Sequence, residues 1–243
     1  SYVVLMGDGH YDAKNYQNLG KVNYIPPYLA FVDPWLGETA ADNRYVTFKD
    51  GMGNRDAMPD MMLGRMAVNS AAEAAVMVNK AIAYEANPVE PWQQQVLAVA
   101  DNRDSGGLFD LLSDSLLAGH LPAPYTAEKV YLNVTHMTAA DAKTAILAGI
   151  NSGKLLVNYI GHASRTDWAT EKLFGVADVK NLANGSKQPI ILGMTCYDGY
   201  YQMPYLSDYF ATAEVVTRGA KFDGAEDKGA VASWSPSGLG VAS

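Results

Sequence analysis

The chain has 243 residues, which is enough for one large α/β domain or two small ones. Hydrophobic residues make up 49% of the chain and charged residues 18%, proportions that are ordinary for a well-packed globular protein. The net charge of -8 argues against a nucleic-acid partner, and the presence of one cysteine excludes both a disulfide framework and a cysteine-based zinc cluster.

The first predicted elements are a strand, a long irregular region and a helix. Residues 2–6 form an apolar run closed by the letters GDG, which predicts a buried strand followed by a turn. Residues 12–62 contain IPPY, VDPWLGE, DGMGNRD and MPD with little periodicity, and irregular regions of that length are usually functional. A capping box, in which Glu73 follows Ser70 by three residues, predicts a helix over residues 70–85.

From residue 95 onward, predicted strands and helices alternate. Strand, helix, strand with this spacing predicts right-handed crossovers and a mainly parallel sheet. The strands are nearly continuous apolar runs, as a sheet covered on both faces requires, so we expect a three-layer α/β/α sandwich. The predicted strands are 95–100, 128–134, 154–160, 189–195 and 229–234, and the predicted helices are 107–119, 138–153, 176–184 and 205–216.

His162 and Cys196 each follow one of these strands. His162 stands two residues after strand 154–160 in NYIGHASRT, and Cys196 stands one residue after strand 189–195 in MTCYDGYY. Consecutive parallel strands are usually neighbours, so both side chains are expected at one carboxyl edge, within ~5–10 Å of each other. Open α/β sheets place their ligand crevices at that edge. The alternative is a buried, unreactive cysteine and a turn histidine that never meet.

A thiol beside an imidazole is suited to nucleophilic catalysis. An imidazolium stabilises the thiolate, and the histidine can then protonate a leaving amine. Backbone N–H groups at the strand ends, such as those of Ala163 and Cys196, would serve as oxyanion donors. Gly161 and Ala163 leave room for a peptide backbone to approach.

The residues around this pair belong to longer blocks. NYIGHASRTDWATEKLF resembles the NYxGHGSxxxW block of the gingipain family of cysteine peptidases, and VKNLANGSKQPIILGMTCYDGYY resembles the block that carries that family's cysteine. Further blocks with the same resemblance are VLMGDGHYD, ADNRYV, MPDMMLGRMAVNSAAEAAVMVNKAIAYE and GAVASWSPSGLG. Together they cover nearly the whole chain. The resemblance implies a caspase-like fold and a cysteine endopeptidase with His162 and Cys196 as its catalytic residues.

The same resemblance implies a role for Asp42, and two further acidic residues are candidates to orient the histidine. Asp42 matches an aspartate that lies in the primary specificity pocket of the arginine-specific members, so a basic residue before the scissile bond is the implied preference. The alternative for Asp42 is a loop aspartate in an Asx turn. An acidic group often orients a catalytic histidine, and Glu38 and Asp33 are the candidates for that role.

Two features of the sequence depart from the family or leave alternatives open. Alanine stands at position 163, where the family usually has glycine, and alanine cannot adopt every backbone angle open to glycine. Asp50, Asn54 and Asp56 offer oxygen ligands, and the resemblance implies a structural calcium ion, although their spacing does not fit an EF-hand. The alternative for these three is a polar hairpin.

The resemblance also bears on the larger protein. The expectation is that residues 1–243 form one peptidase catalytic domain, an excised fragment with sub-regions 1–90 and 91–243, the second of which carries the pair. We expect protein or peptide substrates, a pro-segment or flanking domains, secretion or display at the cell surface, and no membrane span, because no apolar run approaches ~18 residues. The alternative functions are a sortase-like transpeptidase, a self-processing surface protein and a non-catalytic peptide-binding module.

Overall fold

The computed structural model describes residues 1–48, 58–86, 88–204, 210–219 and 228–240. Strands and α-helices account for most of the regular structure in these ranges. The strands are β1 Tyr2–Met6, β2 Leu29–Asp33, β3 Gly37–Ala40, β4 Met62–Met66, β5 Gln95–Ala100, β6 Thr126–Tyr131, β7 Leu156–Ile160, β8 Asp167–Trp168, β9 Phe174–Gly175, β10 Ile190–Met194 and β11 Ala232–Trp234. The helices are α1 Ala71–Ala86, α2 Phe109–His120, α3 Ala139–Ser152, α4 Val176–Val179 and α5 Thr212–Arg218.

A five-stranded parallel sheet forms the centre of the fold. Its strand order is β11-β10-β7-β5-β6, so the later strands lie at one edge and the earlier ones at the other. β7 pairs in register with both β5 and β10. Because all five strands are parallel, their carboxyl ends lie at the same edge of the sheet.

Apolar side chains cover both faces of this sheet. On one face, buried side chains of β5, β7 and β10 pack against α3 and α5 in a core that includes Ile146, Tyr159 and Val216. On the other face, Phe109 and Leu117 of α2 pack against Ile160. The predicted parallel sheet with helices on both faces is therefore confirmed.

The region 12–62 holds more regular structure than its letters indicate. β2 and β3 form an antiparallel hairpin, and β4 pairs with β1 in a separate two-stranded parallel sheet. Among the residues that the structure describes, no helix is long and apolar enough to cross a membrane.

Several predicted boundaries differ from the structure; the strand predicted at 229–234, for example, begins only at Ala232. The strand predicted at 128–134 ends at Tyr131, because the chain turns there and the N–H groups of Val134, Thr135 and His136 all donate to the Tyr131 carbonyl. The helix predicted at 176–184 is only the four-residue α4. The helix predicted at 205–216 is represented by α5, and residues 205–209 lie outside the described ranges.

Candidate active site

His162 and Cys196 follow neighbouring strands at matching positions. Ile160 of β7 and Met194 of β10 are direct partners in the parallel ladder, and each of the two candidate residues lies two positions beyond its strand. The N–H of Gly161 donates to the Met194 carbonyl at 3.3 Å, which continues the pairing toward the site. The predicted adjacency of the two strands is confirmed.

The His162 ring lies against the loop that follows β5. Its Nε2 is 3.1 Å from Oδ2 of Asp104, and its ring packs edge-to-face on Phe109 with the ring centroids 5.3 Å apart. The other oxygen of Asp104 accepts the N–H of Gly106 at 2.6 Å. A carboxylate on Nε2 favours the tautomer with the proton on that nitrogen, so a neutral ring offers its Nδ1 as a base.

The histidine backbone is fixed by Asp101 at the end of β5. The N–H of His162 donates to Oδ2 of Asp101 at 3.1 Å, and the His162 carbonyl accepts the Tyr159 hydroxyl at 2.5 Å. Burial raises the pKa of Asp101, and hydrogen bonds from the N–H groups of Asn102 and His162 act in the opposite direction. The imidazole is thus carried on a backbone that is hydrogen-bonded on both sides.

Two glycines are required by the close packing around this histidine. A Cβ on Gly161 would collide with Asp101 Cβ. A Cβ on Gly106 would lie 2.7 Å from both Cε1 and Nε2 of the His162 ring. No real Cβ contact is that short, so a side chain at either position would displace the ring or its backbone.

Cys196 stands in a tight turn after β10. Tyr197, the next residue, has φ 56°, a left-handed conformation that residues other than glycine adopt rarely. The Cys196 Sγ is 3.4 Å from the N–H of Gly240 and 3.6 Å from its carbonyl oxygen. The thiol side chain therefore contacts the segment after β11, and within the described residues no hydrogen bond joins it to the His162 ring.

The turn is anchored by Asp198, which is 1% exposed. Its carboxylate accepts the Trp168 Nε1–H at 3.0 Å and the Ser235 hydroxyl at 2.9 Å. Burial raises the pKa of Asp198 to about 6, and the hydrogen bonds partly offset this shift. Asp198 thereby ties the cysteine turn to β8 and to the segment after β11.

The two backbone N–H groups that are expected to bind the oxyanion donate no hydrogen bond within the described structure. Neither the N–H of Ala163 nor that of Cys196 donates to another group in the part of the chain that the structure describes. Ala163 lies opposite Trp168 in an isolated antiparallel bridge, at a position where the ladder leaves its N–H unpaired. Its φ is not positive, so alanine in place of glycine adds no backbone strain.

Asp42 differs from the expectation of a carboxylate that faces a substrate. Its Oδ2 accepts Arg65 Nε at 2.6 Å and the Tyr201 hydroxyl at 2.7 Å, while its Oδ1 accepts the Tyr28 N–H at 3.0 Å. The side chains of Asp42 and Arg65 are only 12% and 7% exposed. A carboxylate already neutralised by a buried guanidinium has little charge to offer a substrate, so these contacts make Asp42 an internal anchor.

Asp33 and Glu38 are not the acids that contact His162; that acid is Asp104. Asp33 is buried and accepts the N–H groups of Trp35, Leu36 and Leu239. Burial opposes its ionisation, but these hydrogen bonds outweigh burial and lower the pKa of Asp33. Asp33 thus fixes the backbone at Leu239, the residue before Gly240. Glu38, on β3, lines a separate cavity.

The predicted calcium ligands Asp50, Asn54 and Asp56 lie outside the described residues. Among the described residues, no group of three or more histidine, cysteine, aspartate or glutamate side chains could hold a metal ion.

Asp101, Asp104 and Asp198 are the site residues that sequence reasoning missed. The first two stand in the letters ADNRDSGG directly after the strand 95–100, at the same carboxyl edge as His162. The sequence therefore places both acids at the end of a strand. It does not show that this strand, β5, lies directly beside β7 on the side opposite β10. Asp198 stands two residues after the cysteine, and its burial has no signature in the sequence.

Comparisons with known proteins show the family and the fold of this chain. The model of the family described as Peptidase family C25 matches residues 1–243. Gingipain R2 of Porphyromonas gingivalis is 27% identical over 171 residues, or 67% of this chain, and Lys-gingipain W83 of the same organism is 26% identical over 211 residues, or 84%. The crystal structure of the Arg-specific cysteine proteinase gingipain R matches 96% of this chain with a TM-score of 0.71 and 28% identity.

A second solved structure is similar, and all these relatives are longer than this chain. The complex of the pro- and mature domains of RgpB from Porphyromonas gingivalis matches with a TM-score of 0.69 and 26% identity. The matches cover 22% of gingipain R2, 12% of Lys-gingipain W83 and 48% of the gingipain R structure. The chain thus spans about a fifth of the length of gingipain R2 and about half of the chain in the gingipain R structure.

Proposed function

The chain belongs to peptidase family C25, and on that basis we propose that it is a cysteine endopeptidase that hydrolyses peptide bonds through Cys196 and His162. The observation that carries the proposal is the register of β7 and β10, which places the two residues at matching positions beyond adjacent strands. The proposal extends to the longer protein of which these residues form a part.

In the proposed mechanism, the peptide carbonyl lies between the two strand ends. The Cys196 thiolate attacks the carbonyl carbon, and the developing oxyanion is stabilised by the N–H groups of Ala163 and Cys196. The protonated His162 donates its proton to the leaving amine, and it then takes a proton from the water that hydrolyses the thioester. Asp104 positions the ring and stabilises its charged form.

We further propose that the enzyme prefers a basic residue in its peptide substrates. The names of the relatives support this, because one is an Arg-specific proteinase and another is a Lys-gingipain. The solved complex of pro- and mature domains supports a pro-segment that accompanies the longer protein. The same kinship supports a protein that acts outside the cell or at its surface.

Substitution of the two reacting residues tests the proposal. Cys196→Ala and His162→Ala should each reduce hydrolysis of a casein or fluorogenic arginyl-peptide substrate by at least ~10³-fold, because each removes a group that reacts. His120→Ala, at the exposed end of α2, should leave the rate within about twofold. Treatment with iodoacetamide should reproduce the loss seen for Cys196→Ala.

Two outcomes would contradict this function. Undiminished hydrolysis by Cys196→Ala would exclude the thiol as the nucleophile. A product in which an added amine replaces water would instead identify a transpeptidase.

A further inference from the structure

Trp168 of β8 contacts both of the segments that carry the proposed catalytic pair, and its side chain is completely buried. Its ring stacks on the ring of Tyr159, with the centroids 4.5 Å apart and the planes within 3°, and it also packs on Phe174 at 5.0 Å. Tyr159 belongs to β7, and its hydroxyl donates to the His162 carbonyl. Trp168 therefore packs directly on the strand that leads to the proposed base.

The backbone of Trp168 holds Ala163. The two residues lie opposite each other in an antiparallel bridge. The N–H groups of Ala169 and Ser164 donate across this bridge to carbonyls of the opposite segment, at 2.7 and 2.9 Å. Between two such flanking bonds, the N–H of the bridged residue points away from its partner strand. The bridge therefore sets the direction of the Ala163 N–H, the first of the two expected oxyanion donors.

The indole of Trp168 holds the turn that carries the second donor, the N–H of Cys196. The indole Nε1–H donates to Oδ1 of Asp198, two residues after the cysteine, at 3.0 Å. The other carboxylate oxygen accepts the Ser235 hydroxyl at 2.9 Å. This oxygen also lies so close to β10 that a Cβ on Gly193 would be 2.9 Å from it. The carboxylate is thus confined on several sides, and the turn is confined with it.

Apolar packing alone does not require this pair of polar groups. A phenylalanine could stack on Tyr159 and fill much of the same space without a donor that needs a partner. The acceptor is the carboxylate of Asp198, which is only 1% exposed, and burial of such a group is costly. What the indole and the carboxylate add is a directed bond, which fixes both the distance and the orientation between the two segments.

We propose that Trp168 and Asp198 are positioning residues that together set the separation of the two expected oxyanion donors. Those donors are the N–H groups of Ala163 and Cys196. An oxyanion accepts both N–H groups at once only if each lies about 2.7–3.1 Å from it, so a shift of one segment by about 1 Å weakens its stabilisation. The proposal rests on the peptidase function proposed above and deepens it.

Trp168→Phe tests this role, because it keeps an aromatic ring and removes the N–H. The kcat for arginyl-peptide hydrolysis should fall about 10²-fold, with KM changed less than about threefold. Alkylation by iodoacetamide forms an S–C bond, releases iodide and develops no oxyanion, so its rate constant should stay within about threefold. Trp92→Phe, at a buried tryptophan before β5, should leave both rates within about twofold. Equal losses in hydrolysis and alkylation, or no loss in hydrolysis, would overturn the proposal.

Conservative substitution of Asp198 tests the same bond from its other end. Asp198→Asn keeps an oxygen that accepts the indole N–H, and its amide can donate to Ser235, whose hydroxyl can turn to the Ser233 hydroxyl at 2.7 Å. Its kcat should therefore stay within about threefold of the wild type, whereas Asp198→Leu should lose as much as Trp168→Phe. A loss of about 10²-fold for Asp198→Asn would show that the charge matters rather than the bond, and it would refute the proposal even if Trp168→Phe does not fold.

Hydrogen exchange measured by mass spectrometry tests the connection without any reaction. The N–H groups of Tyr197 and Gly199 donate to carbonyls of the segment after β11. If the indole bond holds this turn, Trp168→Phe should speed exchange in residues 195–201 by at least about tenfold, and Trp92→Phe should not. Unchanged exchange in Trp168→Phe would contradict the proposal whether or not the chain hydrolyses peptides. Absence of hydrolysis by the wild type would refute the proposed function itself, and the exchange result would still decide whether the bond holds the turn.

Discussion

Asp104 contacts the His162 ring through one oxygen and the Gly106 N–H through the other. The ring is confined on its other side by Phe109, and it approaches Gly106 so closely that no side chain fits there. Its orientation is therefore set by Asp104 and Gly106 of the loop after β5 and by Phe109, the first residue of α2. A change in this loop acts on the proposed base without touching the strand that carries it.

Substitution of Asp104 by asparagine tests this positioning. Asparagine keeps the shape but loses the charge that stabilises the imidazolium, so kcat for peptide hydrolysis should fall about 10²-fold while KM changes less than about threefold. Glutamate at the same position should restore part of the loss. The matched control is Asp114→Asn on α2, whose carboxylate is similarly exposed and salt-bridged to Lys129. A loss for Asp104→Asn that appears in KM alone would assign the residue to substrate binding instead.

Individual residue roles were partly predictable from the sequence. The positions of His162 and Cys196 beyond adjacent strands were predictable, because each follows an apolar strand and strand ends can be read from the letters. Asp104 was not found, because its relation to His162 depends on β5 lying beside β7, and single-sequence patterns carry no strand order. Asp42 and Asp33 resemble exposed loop acids in the sequence, whereas in the structure both are internal acceptors.

At the scale of elements, the turn after β10 depends on a buried carboxylate. Asp198 receives hydrogen bonds from Trp168 and Ser235, which belong to separate elements of the chain. Tyr197 keeps its left-handed backbone within this turn. Because such a conformation costs about 1 kcal/mol or more, the surrounding hydrogen bonds must hold it in place.

The pH dependence of stability tests the state of Asp198. Burial places its pKa in the folded protein at about 6, above the ordinary value of 3.8, so the folded state binds the extra proton between these values. This proton contributes at most about 3 kcal/mol to the free energy of unfolding. The contribution is complete below about pH 4 and is lost as the pH rises through 6. Asp198→Asn cannot ionise, so it does not lose this contribution. As the pH rises from 4 to 6, its free energy of unfolding, measured by urea titration, should therefore increase relative to that of the wild type.

Two further variants make this test specific. Asp198→Ala leaves the Trp168 Nε1–H without an acceptor and should be about 2–3 kcal/mol less stable than Asp198→Asn at every pH, since neither variant ionises at this position. Asp141→Asn, an exposed carboxylate near the start of α3, should show no gain between pH 4 and 6. Parallel pH curves for Asp198→Asn and the wild type would show that folding does not raise the pKa of Asp198.

Elements were predictable where local signals agreed with the tertiary structure. The α3 helix begins after Thr138, whose hydroxyl accepts the Asp141 N–H, and it ends at Gly153 with φ 94°. Both signals can be read from the letters. The short length of α4 was not predicted, because the letters VADVKNLAN contain no glycine or proline that would end the helix after Val179.

At the scale of the whole molecule, Lys80 joins distant parts of the chain. It lies on α1, is 3% exposed, and donates to the carbonyls of Thr217 at 2.7 Å and Lys228 at 3.0 Å. Thr217 lies in the last turn of α5, and Lys228 lies four residues before β11. The contacts attach α1 to the part of the fold that precedes the edge strand of the sheet.

The stability of the whole fold should therefore depend on pH through Lys80. Burial lowers the pKa of Lys80 to about 7 from 10.5, so between these values the unfolded chain binds a proton that the folded protein does not. Stability should rise with pH in this window, by up to ~1.4 kcal/mol per pH unit. Lys80→Met should lack this rise between pH 7.5 and 9.5, as measured by chemical denaturation.

The control for this experiment is Lys180→Met, which removes an exposed lysine just after α4 and should retain the wild-type rise. If Lys80→Met shows the same rise as the wild type, the lysine is charged in the folded protein throughout the window.

The contact between Asp33 and Leu239 has a consequence for the folding kinetics. These residues are 206 positions apart, and the pair Thr39 and Ser237 is separated by 198. Contacts of such long range form late, since a large loop must close before they are made. We therefore expect the segment that reaches the thiol to be assembled late, so that a partly folded chain carries Cys196 without its complete surroundings. On the function proposed above, activity would then appear only once these long-range contacts have formed.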